Sequence, residues 1–332
     1  MSKILAALFI ILLSISSHLF SCTRLFWNTK GAMIVGRTFD WGTHYNETIH
    51  VLPRGMLHQG QTGDNDAQWT ARYGSIVVVE HDQNLEGITD GVNEKGLAAH
   101  LLSFKGAVYE QRDASRPSVS NLQWLQYYLD NFASVNELIN HINEVQIIPN
   151  DFERFRAVPL HVAVEDADGD SAIIEFIQGK LVVFHHRDYT LMTNAPTYSE
   201  HLKEWANYEE ENCPRAKIPL NDSSKSRFIR ASCYMRALPA PENGDQALGM
   251  IASITENASV PYGLSRSEAT WWHSLIDLTR KRYYFKSTRV HNLFWLDYAK
   301  IDFSRADSYR VINAHSASLN GDITEGIEGN LL

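Results

Sequence analysis

The sequence has little cysteine, little positive charge and few long hydrophobic runs. Its 332 residues include three cysteines, and 30 lysines and arginines stand against 39 aspartates and glutamates, for a formal net charge of −9. Because no basic surplus exists to neutralise phosphates, nucleic acid and anionic membrane surfaces are excluded as general partners. No long apolar run follows the first 21 residues, so we expect no stable membrane span there. The composition indicates a mildly acidic globular protein.

Motifs of several common catalytic and cofactor sites are also missing. The sequence contains no H-E-x-x-H, no G-x-S-x-G and no phosphate-loop pattern. The acidic stretch "DADGD" at 166–170 lacks the rest of a calcium-binding loop, so it predicts a hairpin turn. His185 and His186 are adjacent in a predicted strand and face opposite sides, which argues against a shared metal ion. We therefore expect neither a metal nor a cofactor.

The first 21 residues predict a signal peptide that is removed. Lys3 supplies a short positive region, and residues 4–15 are apolar or small before a run of serines. Such a run is short for a bilayer and is typical of secretory signals. The sequence therefore predicts an exported protein whose mature part begins near Cys22.

The three cysteines leave one thiol over in an oxidising compartment. Cys213 and Cys233 could form a disulfide or remain two buried thiols, and their spacing leaves both alternatives open. Cys22 is the odd one out, and its position just after the signal allows two fates. The stretch "LFSC" resembles a lipoprotein signal, in which the sulfur would become a thioether. Simple cleavage would instead leave an N-terminal cysteine, with a thiol nucleophile and an α-amine base on one residue.

Hydrophobic periodicity predicts the main elements. Alternating apolar residues predict two strands joined by a turn at 30–31. Helical spacing over 120–145, broken near 133–134, predicts two consecutive helices. Residues 160–186 alternate with two turn signals and predict a three-stranded meander. Strands, then helices, then strands favour one layered α+β domain.

An ordered set of motifs resembles a known family. "CTR" is followed by "GRTFDW" at 36–41, and then come "GVNEKGLAAHLLSF" at 91–104, "LMTNAPTY" at 191–198, "SRFIRAS" at 226–232 and "YYFKSTRVHNLFWLD" at 283–297. This set resembles the choloylglycine hydrolases, which include bile salt hydrolases and penicillin V acylases, in their signal-bearing Gram-negative type. The resemblance implies an N-terminal-nucleophile hydrolase with four α-β-β-α layers, formed as a single domain by residues 22–332, and periplasmic or secreted.

The resemblance also implies a role for each residue that matches a family motif. Cys22 matches the nucleophile and its α-amine the base. Arg37 matches an arginine that favours the thiolate, and Asp40 matches a carboxylate that orients the N-terminal residue. Taken alone, Arg37 and Asp40 would be interpreted as a surface ion pair.

Three further positions complete the implied catalytic set. Asn194 matches the side-chain donor of the oxyanion hole, and the backbone N–H of Ser103 matches the second donor. Arg227 matches a second arginine in the polar network beneath the site. Taken singly, Asn194 could simply form a turn and Arg227 could be a solvated charge on a helix. The family spacing of the whole set favours the catalytic interpretation.

The expected reaction is hydrolysis of a linear amide between an apolar acyl group and a small polar amine. Conjugated bile salts are narrowly favoured over penicillin V and N-acyl homoserine lactones as substrates. Trp27 is a candidate wall of the acyl pocket, with core packing as the alternative, and Met56 and Leu57 fall in a loop that resembles a pocket-lining loop of the family. A homo-oligomer, dimer or tetramer, is left open. The alternative of another class is a lipid-anchored, non-catalytic binding protein.

Overall fold

Two large β-sheets packed face to face form the centre of the protein. The computed structural model describes residues 21–29, 31–82, 85–150, 159–263 and 269–325. The predicted signal peptide lies outside these residues except for Ser21. The strands in the described ranges are β1 (Thr23–Thr29), β2 (Ala32–Trp41), β3 (Thr48–Leu52), β4 (Leu57–Gln59), β5 (Gln68–Thr70), β6 (Ser75–Asp82), β7 (Leu85–Asn93), β8 (Ala98–Ser103), β9 (Ser118–Ser120), β10 (Gln146–Ile148), β11 (Leu160–Glu165), β12 (Ser171–Ile177), β13 (Lys180–His185), β14 (Leu191–Thr193), β15 (Ala269–Asp277), β16 (Arg282–Ser287), β17 (Leu293–Asp297), β18 (Arg310–Asn313) and β19 (Asn320–Asp322).

Fifteen of these strands form the two large sheets. Within the described ranges, one sheet has seven strands in the order β14-β1-β2-β15-β16-β17-β19, and the other has eight in the order β13-β12-β11-β8-β7-β6-β3-β18. Neighbouring strands are antiparallel except at the β17–β19 edge. Two small pairs, β4–β5 and β9–β10, lie outside the large sheets.

Helices cover the outer face of each large sheet. The described α-helices are α1 (Trp124–Asn131), α2 (Val135–His141), α3 (Tyr198–Glu210), α4 (Ser224–Arg236) and α5 (Gly244–Asn257). One apolar core lies between the two sheets and extends to α3, α4 and α5, while a second lies between the eight-stranded sheet and α1 and α2. Together the layers run helix, sheet, sheet, helix, which is the predicted α+β arrangement.

The local predictions for the strands and helices are confirmed. β1 and β2 form the expected hairpin, with Thr23 opposite Thr38. α1 and α2 are two helices with a break between them, and Ser134 caps the second through its side chain. β11, β12 and β13 form the expected antiparallel meander. Each of these elements carries a periodic pattern long enough to decide its type from local sequence.

The hairpin β1–β2 presents different side chains to the two sides of its sheet. Arg24 reaches Glu165 in the eight-stranded sheet, so the face of β1 that carries Cys22 and Arg24 lies between the sheets. The opposite face packs on the helices. There Gly36 approaches α5 so closely that a Cβ would lie 2.1 Å from the Thr255 hydroxyl.

A disulfide fixes the segment after α3 to α4. Cys213 and Cys233 are bridged, which decides between the two alternatives that the sequence left open. Cys22 is unbridged and buried. No helix in the described ranges is long and apolar enough to cross a membrane.

Candidate active site

The thiol of Cys22 lies buried at the start of β1. Only 1% of the residue is exposed, and its sulfur contacts the backbone of the neighbouring strand β2. The Asp40 N–H donates to Sγ at 3.4 Å, and the Cys22 thiol donates to the Asp40 carbonyl oxygen with 3.5 Å between sulfur and oxygen. The residue therefore sits between the two sheets, held against the end of β2.

Opposing effects act on the acidity of this thiol. Burial raises the pKa of Cys22 to about 11, and the charge of Asp40 acts in the same direction, whereas Arg37, the Asp40 backbone N–H and Arg227 lower it. In the chain with residues 1–21 attached, the Cys22 nitrogen is part of a peptide bond and cannot act as a base. The thiol of that chain is therefore protonated at neutral pH, and the site needs a base to generate a thiolate.

Three hydrogen bonds hold the guanidinium of Arg37 inside the protein. Its guanidinium donates to the Asp90 carboxylate at 3.1 Å, to the Leu101 carbonyl at 2.6 Å and to the Thr89 carbonyl. It also lies 5.0 Å from the centre of the Trp272 ring. The residue is fully buried and its carboxylate partner is Asp90, so the interpretation as a surface ion pair is wrong.

Asp40 is held by two hydroxyl groups. Thr38 donates to one carboxylate oxygen at 3.1 Å, and Thr270 on β15 donates to the other. The Thr38 hydroxyl also accepts the Thr23 N–H at 3.1 Å, which joins this carboxylate to the first residue of β1. These contacts fix the Asp40 carboxylate beside the start of β1.

Asn194 and Arg227 connect the site across the interior. Arg227 donates to the Cys22 carbonyl at 2.7 Å and to Asn194 Oδ1 at 3.0 Å, and Asn194 Nδ2 donates to the Ser103 carbonyl at 2.8 Å. Because Arg227 only donates and a carbonyl only accepts, these two contacts determine the orientation of the Asn194 amide. Arg227 lies on α4 but is 1% exposed, so the interpretation as a solvated helix charge is wrong.

Ser103 turns its backbone toward Asn194. Phe104 donates its N–H to the Pro159 carbonyl at 2.7 Å, so Ser103 and Leu160 are a pair without mutual hydrogen bonds in the β8–β11 ladder. The N–H and C=O of Ser103 therefore both point away from β11, and the carbonyl reaches Asn194. The backbone N–H expected as an oxyanion donor thus lies on the side that faces Asn194.

The three predicted substrate-binding residues lie in different environments. Trp27 is five residues from Cys22, so strand alternation places it on the opposite face of β1, among the core residues on the helix side. Met56 is half-buried against the outer core, and Leu57 is 83% exposed on β4. The placement of Trp27 does not fit a wall of a pocket at Cys22, and the substrate-binding roles of Met56 and Leu57 stay predictions.

Two aromatic residues of the stretch "GRTFDW" lie on the face of the sheet that carries the thiol. Phe39 follows Thr38, the partner of Thr23, and so lies across from Cys22. Trp41 alternates onto the same face and stacks on Phe39 with 6.1 Å between ring centres. The period-two alternation of "GRTFDW" could have assigned this face from the sequence.

The fold and this buried cysteine define the class of protein. Two stacked antiparallel sheets between helical layers, with the cysteine at the start of a central strand, are the architecture of an α+β N-terminal-nucleophile hydrolase. A sequence profile of the linear amide C–N hydrolases of the choloylglycine hydrolase family matches residues 22–310. The chain belongs to this family, and the match begins at Cys22.

Individual relatives agree with that assignment. The chain is 33% identical over 311 residues to a penicillin V acylase from Pectobacterium atrosepticum, covering 86% of this chain and 82% of the relative. It is 24% identical over 289 residues to a bile salt hydrolase/transferase from Lactiplantibacillus plantarum, covering 76% and 85%. A solved penicillin V acylase from Agrobacterium tumefaciens superimposes with a TM-score of 0.83 at 33% identity, covering 93% of this chain and 97% of that one.

Proposed function

We propose that Cys22, once it is the N-terminal residue, is the nucleophile of this amide hydrolase. The observation that carries the proposal is the single buried cluster that joins the Cys22 thiol and carbonyl to Asp40, Arg227 and Asn194. In this proposal the free α-amine of Cys22 removes the thiol proton, and Arg37 and Arg227 favour the thiolate.

Attack on the amide carbonyl forms a carbon–sulfur bond and places a negative charge on the carbonyl oxygen. We assign the oxyanion to Asn194 Nδ2 and the Ser103 N–H. The Asn194 amide has two N–H groups in one plane. Because the Ser103 carbonyl holds one of them, the direction of the second is also fixed, and this second N–H is the proposed oxyanion donor. The α-ammonium then protonates the leaving amine as the C–N bond breaks, and water activated by the α-amine hydrolyses the thioester.

For the substrate we propose an aromatic or similarly flat acyl group on a small polar amine, with penicillin V as the first candidate. Two features support this order. Two relatives that are 33% identical are penicillin V acylases, whereas bile salt hydrolases among the relatives are 22–28% identical. Phe39 on the thiol face already stacks on Trp272 with 4.9 Å between ring centres, so Trp41 is the ring on this face that we assign to contact with a flat acyl group. This reverses the narrow preference for bile salts drawn from the sequence, and bile salts and N-acyl homoserine lactones remain alternatives.

We also propose that residues 1–21 are a removed signal and that the protein is exported as a single domain of residues 22–332. The disulfide between Cys213 and Cys233 supports an oxidising compartment. The family match that begins at Cys22 supports a mature chain that starts there.

The test is to isolate the exported protein and determine its intact mass and N-terminal residue. An unmodified Cys22 at position one, with hydrolysis of penicillin V, glycocholate, taurocholate or an acyl homoserine lactone, supports the proposal. Cys22→Ala should remove hydrolysis of every substrate while the far-ultraviolet circular dichroism stays unchanged. A lipid-modified Cys22, or full activity in Cys22→Ala, would refute it, and the lipid-modified form would indicate a tethered binding protein.

A further inference from the structure

Five charged side chains form a continuous buried chain between the two sheets. They lie in the order Arg37, Asp90, His100, Glu165, Arg24, and each contacts the next. All five side chains are 0% exposed. The central three belong to β7, β8 and β11 of the eight-stranded sheet, and the two terminal arginines belong to β2 and β1 of the other sheet. The chain therefore starts and ends on the hairpin that carries the Cys22 site.

The geometry defines the protonation state of the central imidazole. His100 Nδ1 contacts Asp90 Oδ1, and His100 Nε2 lies 2.6 Å from Glu165 Oε1. Ionised carboxylates only accept hydrogen bonds, so both ring nitrogens must carry a proton and the ring is an imidazolium. Burial alone would lower the pKa of His100, but the charges of Glu165 and Asp90 override it and raise this pKa. His100 therefore acts as a third cation in the chain.

This chain of five charged side chains carries an excess of positive charge. Its three cations, Arg37, His100 and Arg24, face two anions. Burial alone would raise the pKa of Asp90, but His100 and Arg37 outweigh it and lower this pKa to about 2. Burial would likewise raise the pKa of Glu165, but Arg24 and His100 outweigh it and hold this pKa below its usual range. Tyr283 on β16 also faces Asp90 and donates to it at 2.5 Å, and burial keeps the pKa of this phenol well above its usual value. The phenol is thus neutral, and within the chain of five charges the cations outnumber the anions by one.

The Arg37 end of this chain of charges acts on the nucleophile. Arg37 already lowers the pKa of the Cys22 thiol. Arg24 lies two residues after Cys22 on the same face of β1. Without the imidazolium, two neighbouring carboxylates would repel each other in a low-dielectric interior. Each would then attract its own arginine more strongly.

We propose that His100 is a positioning residue of the amidase, whose imidazolium holds Asp90 and Glu165 apart, fixes Arg37 and Arg24, and supplies the positive charge that favours the Cys22 thiolate. The inference rests on the proposed role of Cys22 as the nucleophile. His100 acts through the two arginines and does not contact the substrate.

The test compares His100→Gln with the wild type and with His161→Gln as a matched control. His161 is equally buried on the eight-stranded sheet and contacts Glu175 at 3.1 Å, but it lies outside the chain of five charges. The readout is the rate of Cys22 alkylation by iodoacetamide against pH in the processed protein. Because Cys213 and Cys233 are bridged, alkylation reports Cys22 alone.

Removing one buried positive charge should raise the thiol pKa of His100→Gln by about one unit, seen as an approximately tenfold slower alkylation below that pKa. The Cys22 thiol of His161→Gln should have the same pKa as that of the wild type. His100→Lys, which restores a positive charge, should recover most of the rate. An unchanged thiol pKa in a folded His100→Gln would overturn the proposal.

A measurement on the wild type decides the matter if the variants do not fold. The side-chain ¹⁵N resonances of His100 should show two protonated nitrogens at pH 8, and a neutral ring there would overturn the proposal. Both readouts need no substrate. A protein that shows the expected titration but hydrolyses no amide would therefore refute the proposed function, while the effect of His100 on the pKa of the Cys22 thiol would remain established.

Discussion

Asn194 shows how single side chains in this protein are fixed by donors and acceptors that cannot exchange roles. Its oxygen accepts from Arg227 and its nitrogen donates to the Ser103 carbonyl. The same logic fixes Asp40 between two threonine hydroxyls. A substitution that keeps the shape of such a residue but changes its donors should therefore separate chemistry from stability.

Asn194→Asp tests this at the oxyanion site. The new carboxylate still accepts from Arg227 but has no N–H to donate, so we expect kcat to fall about 10²- to 10³-fold with KM little changed. Asn292→Asp is the control, because Asn292 is also buried but donates to the carbonyls of Ala314 and Ser316. Thermal unfolding should show that the control is less stable than the wild type, and steady-state kinetics should show that it keeps the kcat of the wild type. A kcat that stays near that of the wild type in Asn194→Asp would remove Asn194 from the oxyanion hole.

Asp130 gives a prediction on pH and stability. Burial raises its pKa from 3.8 to about 7, despite hydrogen bonds from Trp69 and Gln126 at 2.7 Å each. The folded protein thus keeps this proton between about pH 4 and 7, where the unfolded chain loses it, so this residue makes stability fall as the pH rises through that window. Asp130→Asn should remove that fall, which amounts to a few kcal/mol by order of magnitude.

The measurement is the melting temperature of Asp130→Asn and of the wild type from pH 4 to 8. The melting temperature of the variant minus that of the wild type should rise up to about pH 7 and stay constant above it. A difference that does not change with pH would show that Asp130 is ionised throughout.

At the scale of elements, the sequence predicted what local periodicity determines. The β1–β2 hairpin, the pair α1 and α2 and the meander β11–β13 all have regular patterns and were predicted correctly. The site residues Cys22, Arg37, Asp40, Asn194 and Arg227 were chosen by resemblance, and the structure brings them together. Their catalytic roles stay predictions.

The partners of these residues could not be predicted in the same way. Thr270 is 230 residues from Asp40, and Asp90 is 53 residues from Arg37. Such pairs depend on strand order and on the packing of one sheet against the other, which no local pattern encodes. The placement of Trp27 is different, since counting alternate residues from Cys22 would have put it on the other face.

The contact between β2 and α5 gives a prediction with an internal control. Gly36 faces the Thr255 hydroxyl and Ile251, and an added Cβ would lie 2.1 Å from that hydroxyl oxygen. Gly36→Ala should therefore push α5 from the sheet and cost about 1–3 kcal/mol. Gly249→Ala, on the exposed side of the same helix with nothing within 4 Å, should instead stabilise the protein by about 0.5–1 kcal/mol.

Denaturant unfolding of both variants measures these opposite effects. The two substitutions add the same methyl group, so their difference isolates the close approach of strand and helix. Equal stability of the two variants would show that α5 moves without cost.

At the scale of the whole molecule, the proposed mechanism makes activity depend on where the chain begins. A version with one alanine before Cys22 should have its base converted to an amide, so hydrolysis of penicillin V should fall at least 10³-fold. The same protein that starts at Cys22 is the control, and circular dichroism should show the same fold for both. Comparable turnover by the extended protein would show that the base lies elsewhere.

The disulfide has a consequence for oxidative folding. Three thiols can pair in three ways, and two of these bridges would consume the proposed nucleophile. Cys213 and Cys233 are only 20 residues apart, so closing their loop costs less entropy than joining either of them to the distant Cys22. Once the sheets assemble in the chain that still carries Ser21, Cys22 is buried, which shields it from thiol exchange before processing. The yield of active enzyme therefore depends on the relative rates of these events. An oxidant that acts faster than the short loop closes would trap inactive isomers in which Cys22 is bridged.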